Sequence, residues 1–259
     1  MTFSTQYLRE IRLRRDAVPS FDRYPFSLNA VRHLDRLHLH PAVTYVIGEN
    51  GSGKSTLLEA IAVAWGFNPE GGSRHFSFET YRSHSDLHRC LGLIRGAAVP
   101  RDGYFLRAES FFNVASEIER MDAIETQEQP KVIETYGCVS LHEQSHGESF
   151  FALFNHRFKG RGLYLLDEPE AALSPTRQMA MLARMHQLVE ARSQFVIATH
   201  SPIVMAYPGA WIYHIGEEGL ERIEYEETEH VRLTRDFLNH SERFLDELLD
   251  RGEVDGSFD

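Results

Sequence analysis

Ala42-Val43-Thr44-Tyr45-Val46-Ile47-Gly48-Glu49-Asn50-Gly51-Ser52-Gly53-Lys54-Ser55-Thr56-Leu57-Leu58 is the stretch that decides the fold. Residues 42–47 are a short β-rich run that stops at Gly48, the form of a buried strand. After the glycines, Leu57, Leu58, Ile61 and Trp65 recur at helical spacing from Ser55 onward, and Gly66 and Pro69 close the helix. Between strand and helix, Gly48 to Ser55 matches G-x-x-x-x-G-K-[ST] at every fixed position. Glycines at 48, 51 and 53 let successive backbone N–H groups, those of Glu49, Asn50 and Ser52 among them, turn inward around a phosphate. The helix beginning at Ser55-Thr56 adds the positive end of its dipole. Lys54 is placed to reach β- and γ-phosphates, and the Ser55 hydroxyl to ligate Mg²⁺.

Outward from this unit the chain repeats the alternation. Leu163 to Leu166 reads as a second buried strand, and it ends in Asp167-Glu168. A carboxylate buried at a strand end needs a partner, and a Mg²⁺ shared with Ser55 would supply one to Asp167. Glu168 is then placed to polarise an attacking water as general base. Ser174-Pro175 is a helix start, with an N-cap hydroxyl and proline in the first turn. Phe195 to Ala198 is a third buried strand running into Thr199-His200, where the imidazole could bond a γ-phosphate or hold the water-activating acid.

Less regular segments surround these. Tyr7 to Val18 suits a half-buried edge strand, Tyr104 to Ala108 a strand, and Phe111 to Arg120 and Phe150 to Phe158 helices. Trp211 to Ile215 and Leu220 to Tyr225 read as a hairpin, and Asn68 to Arg101 as an inserted or peripheral region. The expected class is α/β: a mostly parallel sheet flanked by helices, with an antiparallel β edge and a helical subdomain. Ligands in such folds sit at the carboxyl ends of the strands.

The 259 residues carry a net charge of -11, unevenly spread. From Gly216 to Asp259 there are 15 acidic residues against 5 arginines, so the rest of the chain is close to neutral. The two cysteines, Cys90 and Cys138, cannot form a disulfide framework and suit a reducing, cytoplasmic setting. No apolar run reaches the ~20 residues of a membrane helix, so direct membrane insertion is not expected.

The order of motifs, Gly48 to Ser55, then Ser145-His146-Gly147-Glu148, then Asp167-Glu168, then His200, resembles the ABC-type ATPase domain. These would be its Walker A loop, signature, Walker B strand and switch histidine, with Glu170 to Ser174 as D-loop. The wording Leu163-Tyr164-Leu165-Leu166-Asp167-Glu168-Pro169 and Ala198-Thr199-His200-Ser201-Pro202 is similar to a branch of small predicted ATPases, distantly similar to SMC and recombination-repair ATPases. Against LSGGQ, Gln144-Ser145-His146-Gly147-Glu148 keeps only the serine and second glycine. Glu109 occupies the place of the glutamine that touches Mg²⁺ in the family. The resemblance implies an ATPase domain over residues 1–225, with 68–150 as an inserted, signature-bearing subdomain, and an acidic helical tail over 226–259. It further implies ATP and Mg²⁺ bound by residues 48–56, Asp167 and Glu109. Two protomers would face each other head to tail, with Ser145 and Gly147 of one at the γ-phosphate of the other.

Other readings stay open at this level. His142-Glu143-Gln144-Ser145-His146 has the H-E-x-x-H form of a zinc protease, although Gly147 continues such a helix poorly. His84, His88 and Cys90 could bind a transition metal, and Arg12, Arg14 and Arg15 could contact DNA or RNA. The function is therefore an ATP-driven dimerisation switch acting on a partner protein, an ATP-gated nucleic-acid regulator, or the ATPase subunit of a transporter. Upstream of Gly48 none of the aromatics Tyr24, Phe26 and Tyr45 stands out as an adenine contact.

Overall fold

Three strands in which every residue is buried, Val43–Gly48, Gly162–Asp167 and Gln194–Ala198, form the middle of the protein. Strands buried throughout need cover on both faces, which parallel strands receive from their crossover helices. The computed structural model describes residues 6–73, 85–108 and 146–249, with positions 116 and 120 besides. In chain order the described elements are β1 (Leu8–Leu13), α1 (Asn29–Arg32), β2 (Arg36–His38), β3 (Val43–Gly48), α2 (Lys54–Trp65), α3 (Leu87–Cys90), β4 (Leu91–Arg95), β5 (Asp102–Arg107), α4 (His146–Ala152), β6 (Gly162–Asp167), α5 (Pro175–Glu190), β7 (Gln194–Ala198), β8 (Trp211–Gly216), β9 (Gly219–Ile223), α6 (Glu229–Asn239) and α7 (Ser241–Leu248).

The main sheet has the order β5-β6-β7-β3-β8-β9. Its first five strands are parallel, and β9 returns from β8 as the antiparallel edge. A separate antiparallel sheet, β2-β1-β4, packs beside it. The fold is thus mixed α/β with a largely parallel sheet, as the alternation of strands and helices implies.

Alternation along each buried strand divides the core in two. Tyr45, Tyr164, Leu166, Phe195 and Ile197 face one side, where they meet Met181 and Met185 of α5 and the aromatic run Phe150, Phe154, Phe158. Phe158 stacks on Tyr164 at 4.2 Å between ring centroids. Val46, Leu163, Leu165, Val196 and Ala198 face the other side, against Leu57, Leu58 and Ile61 of α2 and the small sheet.

Three segments differ from expectation. The run from Tyr7 is strand only to Leu13 and then turns at Arg15–Ala17. The region after Asn68 supplies β4, which pairs with β1 from Leu91↔Leu13 to Arg95↔Leu8; it is part of the small sheet and not merely peripheral. The expected helix Phe150–Phe158 is α4 followed by a wider π turn over Leu153–Arg157. That turn keeps Phe150, Phe154 and Phe158, four residues apart, buried in one cluster. The expected helix Phe111–Arg120 falls largely outside the described residues.

One side chain joins the two sheets. Gln194, at the start of β7 and fully buried, accepts through Oε1 from the N–H of Tyr7 (3.0 Å) and Leu8 (2.9 Å). Its Nε2 donates to the carbonyls of Leu8 (2.7 Å) and His40 (3.0 Å). Leucine in its place leaves these backbone groups without that partner. We expect Gln194→Leu to cost about 2–4 kcal/mol. Urea denaturation measures this, and a loss below about 0.5 kcal/mol would show that the joint is held elsewhere.

Candidate functional site

The parallel strands bring their carboxyl ends to one edge of the sheet, where β3, β6 and β7 finish in Gly48, Asp167 and Ala198. Gly51 and Gly53 in the loop after β3 have φ of 82° and 103°, in the left-handed region that favours glycine. At Gly53 a Cβ would also meet Leu28 and Ala30 of the α1 segment at 3.1 Å. Helix α2 opens immediately afterwards, with no side-chain cap and no acidic residue in its first turn. Its first N–H groups therefore suit an anion. The buried Ser52 hydroxyl has no hydrogen-bond partner among the described residues, a further polar atom suited to a phosphate oxygen.

Lys54 curls back over this loop. Its Nζ donates to the carbonyls of Gly48 and Glu49, both at 2.8 Å. Burial lowers its pKa, while the carboxylates of Glu168, Asp167 and Glu170 act to raise it. The Ser55 hydroxyl donates to Asp167 Oδ1 at 3.0 Å, bridging the loop to the end of β6 across the intervening β7. Asp167 is only 4% exposed. Arg107 of β5, paired in register with it, brings Nε to 3.9 Å from Oδ2 and donates through Nη1 to Glu59 of α2 at 2.7 Å. Two hard oxygen donors side by side at a phosphate loop fit a magnesium ion.

Glu168 turns the chain out of the sheet with φ of 49°, a conformation costing a non-glycine residue about 1 kcal/mol. Its N–H still donates to Ala198 O at 2.9 Å. Its carboxylate is half-exposed, 3.5 Å from His200 Nε2. The segment holding His200 is organised by Glu170, whose Oε1 accepts from Thr199 Oγ1 (2.7 Å), His200 N (2.7 Å) and Ser201 N (3.2 Å). The other ring nitrogen of His200, Nδ1, lies 3.2 Å from Nε2 of His230 on α6.

The strand-end residues expected from sequence thus converge: Gly48 to Thr56, Asp167, Glu168 and His200. Ser145 and Glu109 lie outside the described residues. Gly147 is buried at the start of α4, where a Cβ would collide with Ala172 O (2.7 Å) and Arg177 Nη1 (2.6 Å), so this turn packs on the Glu170–Ser174 segment and the start of α5. Glu148 beside it lies 3.6 Å from Arg177 Nη2. Sequence reasoning missed Arg107, Glu59 and His230, and assigned no positioning role to Glu170. A charged residue directly after the apolar run Tyr104-Phe105-Leu106 was the available signal for Arg107. His230 gave none.

The upstream aromatics separate by burial. Phe26 and Tyr45 belong to the core, whereas Tyr24 is 68% exposed, with its hydroxyl 3.4 Å from Thr56 Oγ1. The alternative metal sites fare differently. His142 to Ser145 and His84 lie outside the described residues, His88 Nδ1 is 2.9 Å from Ser85 O, and Cys90 Sγ donates to Ala17 O. Among the described residues no group of three or more His, Cys, Asp and Glu side chains is placed to hold a metal.

A family model described as "AAA domain" matches residues 26–136, which contain the Gly48–Thr56 loop. A second, described as "AAA domain, putative AbiEii toxin, Type IV TA system", matches residues 134–206, which contain Ser145, Asp167, Glu168 and His200. Between them the two AAA-domain matches span residues 26–206. The matches imply nucleotide binding and ATPase activity for this domain. Among solved structures, MJ1267, an ATP-binding cassette of an ABC transporter, is similar at 15% identity over 92% of this chain and 99% of its own, with TM-score 0.51. That likeness concerns the fold alone. Looser fits are the SMC head domain from Thermotoga maritima (17% identity, 85% of this chain, 100% of that one, TM-score 0.43) and the dimeric cassette MJ0796 bound to ADP and Pi (16%, 74%, 89%, 0.44). No curated protein matches the chain.

The imidazoles of this site give a pH signature. Burial, then Lys54, lowers the His200 pKa below 6.5, against the raising effect of Glu168. Burial, then His200, lowers that of His230, with Glu229 opposing. Groups depressed in the folded state contribute stability that is present above their unfolded pKa and lost as pH falls through the folded one. The melting temperature should therefore fall between pH 7 and pH 5, and fall less in a His200→Asn, His230→Gln double variant. Calorimetry at the two pH values checks this; equal falls would refute it.

Proposed function

We propose that this domain is a Mg²⁺-dependent ATPase that binds ATP between two head-to-tail protomers and uses hydrolysis as a dimerisation switch for a partner. The observation that carries the reading is the 3.0 Å Ser55–Asp167 hydrogen bond, which joins the phosphate loop to a buried acid followed at once by Glu168. Residues 48–56 hold the phosphates and Lys54 reaches the terminal ones. Magnesium would be held by Ser55 and Asp167, with Glu109 as the third residue that the motif resemblance assigns to it, and would neutralise charge on the β- and γ-oxygens. Glu168 orients and deprotonates the attacking water, and His200 holds Glu168 and the terminal phosphate. The exposed Tyr24 ring beside Thr56 would stack on the adenine. Ser145 and the Gly147 turn complete the site from the opposite protomer, and the site lies in the cytoplasm. The likeness of sequence motifs to the ABC-type family supports the sandwich.

Under this reading Glu168→Gln slows phosphate release at least about a hundredfold and accumulates an ATP-bound dimer. Gel filtration with Mg-ATP and a phosphate assay, with Lys54→Ala as the blank, test it. A monomer that retains no nucleotide would sink the sandwich.

A second reading, ATP-gated binding of nucleic acid, has one observation in its favour. Arg101, Lys159, Arg161 and Arg192 ring a concavity of about 570 Å³ that also contains Asp102 and Glu190. Asp102 is already committed to Arg157 and Tyr164, so the lining is basic although the chain is acidic. Arg12, Arg14 and Arg15 are instead engaged within the chain, by Glu10, by Arg89 O, and by the Arg32 and Leu34 carbonyls. Arg161→Glu with Arg192→Glu should weaken DNA or RNA retention at least about tenfold at low salt; filter binding that shows no retention by the wild type rejects the reading.

A further inference from the structure

The acidic C-terminal segment reaches back into the site. Tyr225 donates its hydroxyl to Pro202 O at 2.9 Å, two residues beyond His200. Fully buried Thr228 caps α6, accepting from Val231 N at 3.4 Å, and Val231 enters the core cluster. Between these anchors His230 presents Nε2 to His200 Nδ1 at 3.2 Å, with the ring centroids 5.4 Å apart.

An N–H···N bond between two neutral imidazoles needs one ring to donate and the other to accept. If His200 donated from Nδ1, its Nε2 would turn a lone pair toward Glu168 Oε1, 3.5 Å away. His230 would then carry a proton on Nδ1, a buried nitrogen with no hydrogen-bond partner among the described residues. A lone pair facing a carboxylate repels it, and a buried unpaired N–H is the costlier orphan. Reversing the bond moves the unshared N–H to His200 Nε2, which also has no hydrogen-bond partner among the described residues but faces the Glu168 carboxylate at 3.5 Å, so the repulsion becomes an attraction. His230 Nε2–H donates, His200 Nδ1 accepts, and His200 Nε2–H faces Glu168, while the unpartnered His230 Nδ1 keeps only a lone pair.

We propose that His230 is a positioning residue that fixes His200 as the Nε2–H tautomer, so that α6 belongs to the switch of the ATP site. The catalytic consequence rests on the ATPase reading above; the tautomer does not. His200 Nε2–H is the form able to donate to Glu168 or to a terminal phosphate oxygen, and a ring in the opposite tautomer offers either group only a lone pair.

Two measurements on the full chain test this. Long-range ¹⁵N correlation spectra of histidine-labelled protein, assigned with His200→Gln and His230→Gln, should show His200 protonated at Nε2 and unprotonated at Nδ1. Protonation at Nδ1, or averaging over both sites, overturns the proposal. In steady-state kinetics His230→Phe should lower kcat about tenfold with KM for ATP within twofold. His230→Gln, which keeps an N–H donor, should recover most of that loss, and on a His200→Ala background His230→Phe should change kcat less than twofold. Wild-type kcat in His230→Phe, or a rise in KM with no rescue by glutamine, overturns it. Equal phosphate release by wild type and Lys54→Ala would instead remove the ATPase reading, leaving the spectra to decide the imidazole pair.

Discussion

Asp167 is a carboxylate at the end of a six-residue strand with every residue buried, and its burial is costly unless each of its oxygens has a counterpart. The counterparts come from both sides along the sheet edge. Ser55 arrives from beyond β7, at the start of α2, and Arg107 arrives in register from β5. Arg107 in turn is tied to Glu59, one helical turn beyond Ser55. The acid therefore fixes the strand order around it as much as the strand order fixes the acid. A shift of β6 by one residue would put Leu166 or Glu168 against Ser55 and exchange the two faces of the core. The phosphate loop, Glu168 and the segment carrying His200 all take their positions from this one buried charge.

Residues whose chemistry depends on chain-local geometry were legible in the sequence. The strand-glycine-helix unit of Val43 to Trp65, the Asp167-Glu168 strand end and the Ser174-Pro175 helix start each carry their signal within a few residues. Elements defined by distant pairing were not. β2 is three residues long, and β4 follows a polar, glycine-containing stretch; each becomes a strand only because β1 lies beside it. Gln194 reads as an ordinary polar residue ahead of an apolar run, yet it joins two sheets through backbone groups more than 150 residues away in sequence. The same holds within the site. Glu170 is legible as a loop acid, but its bonds to residues 199–201 come from a segment 29 to 31 residues further on.

Charge arithmetic misleads in a related way. The excess of acid after Gly216 suggests a solvated segment remote from a phosphate site, because carboxylates near phosphates repel them. On α6 the charges and the site-facing residues occupy different faces. Val231 packs into the core and half-buried His230 reaches His200, whereas Glu229, Arg232, Arg235 and Asp236 line an outer concavity with Leu233. A helix joined to the core by so few residues has a low cost of local displacement compared with the central strands. Movement of α6 would take His230 from His200, while Glu170 would still hold the His200 backbone. The imidazole would then be free to change tautomer without disturbing the strand end. If His230 fixes the tautomer as proposed, a contact on the outer face of α6 would act on the proton position at His200 through a single N–H···N bond.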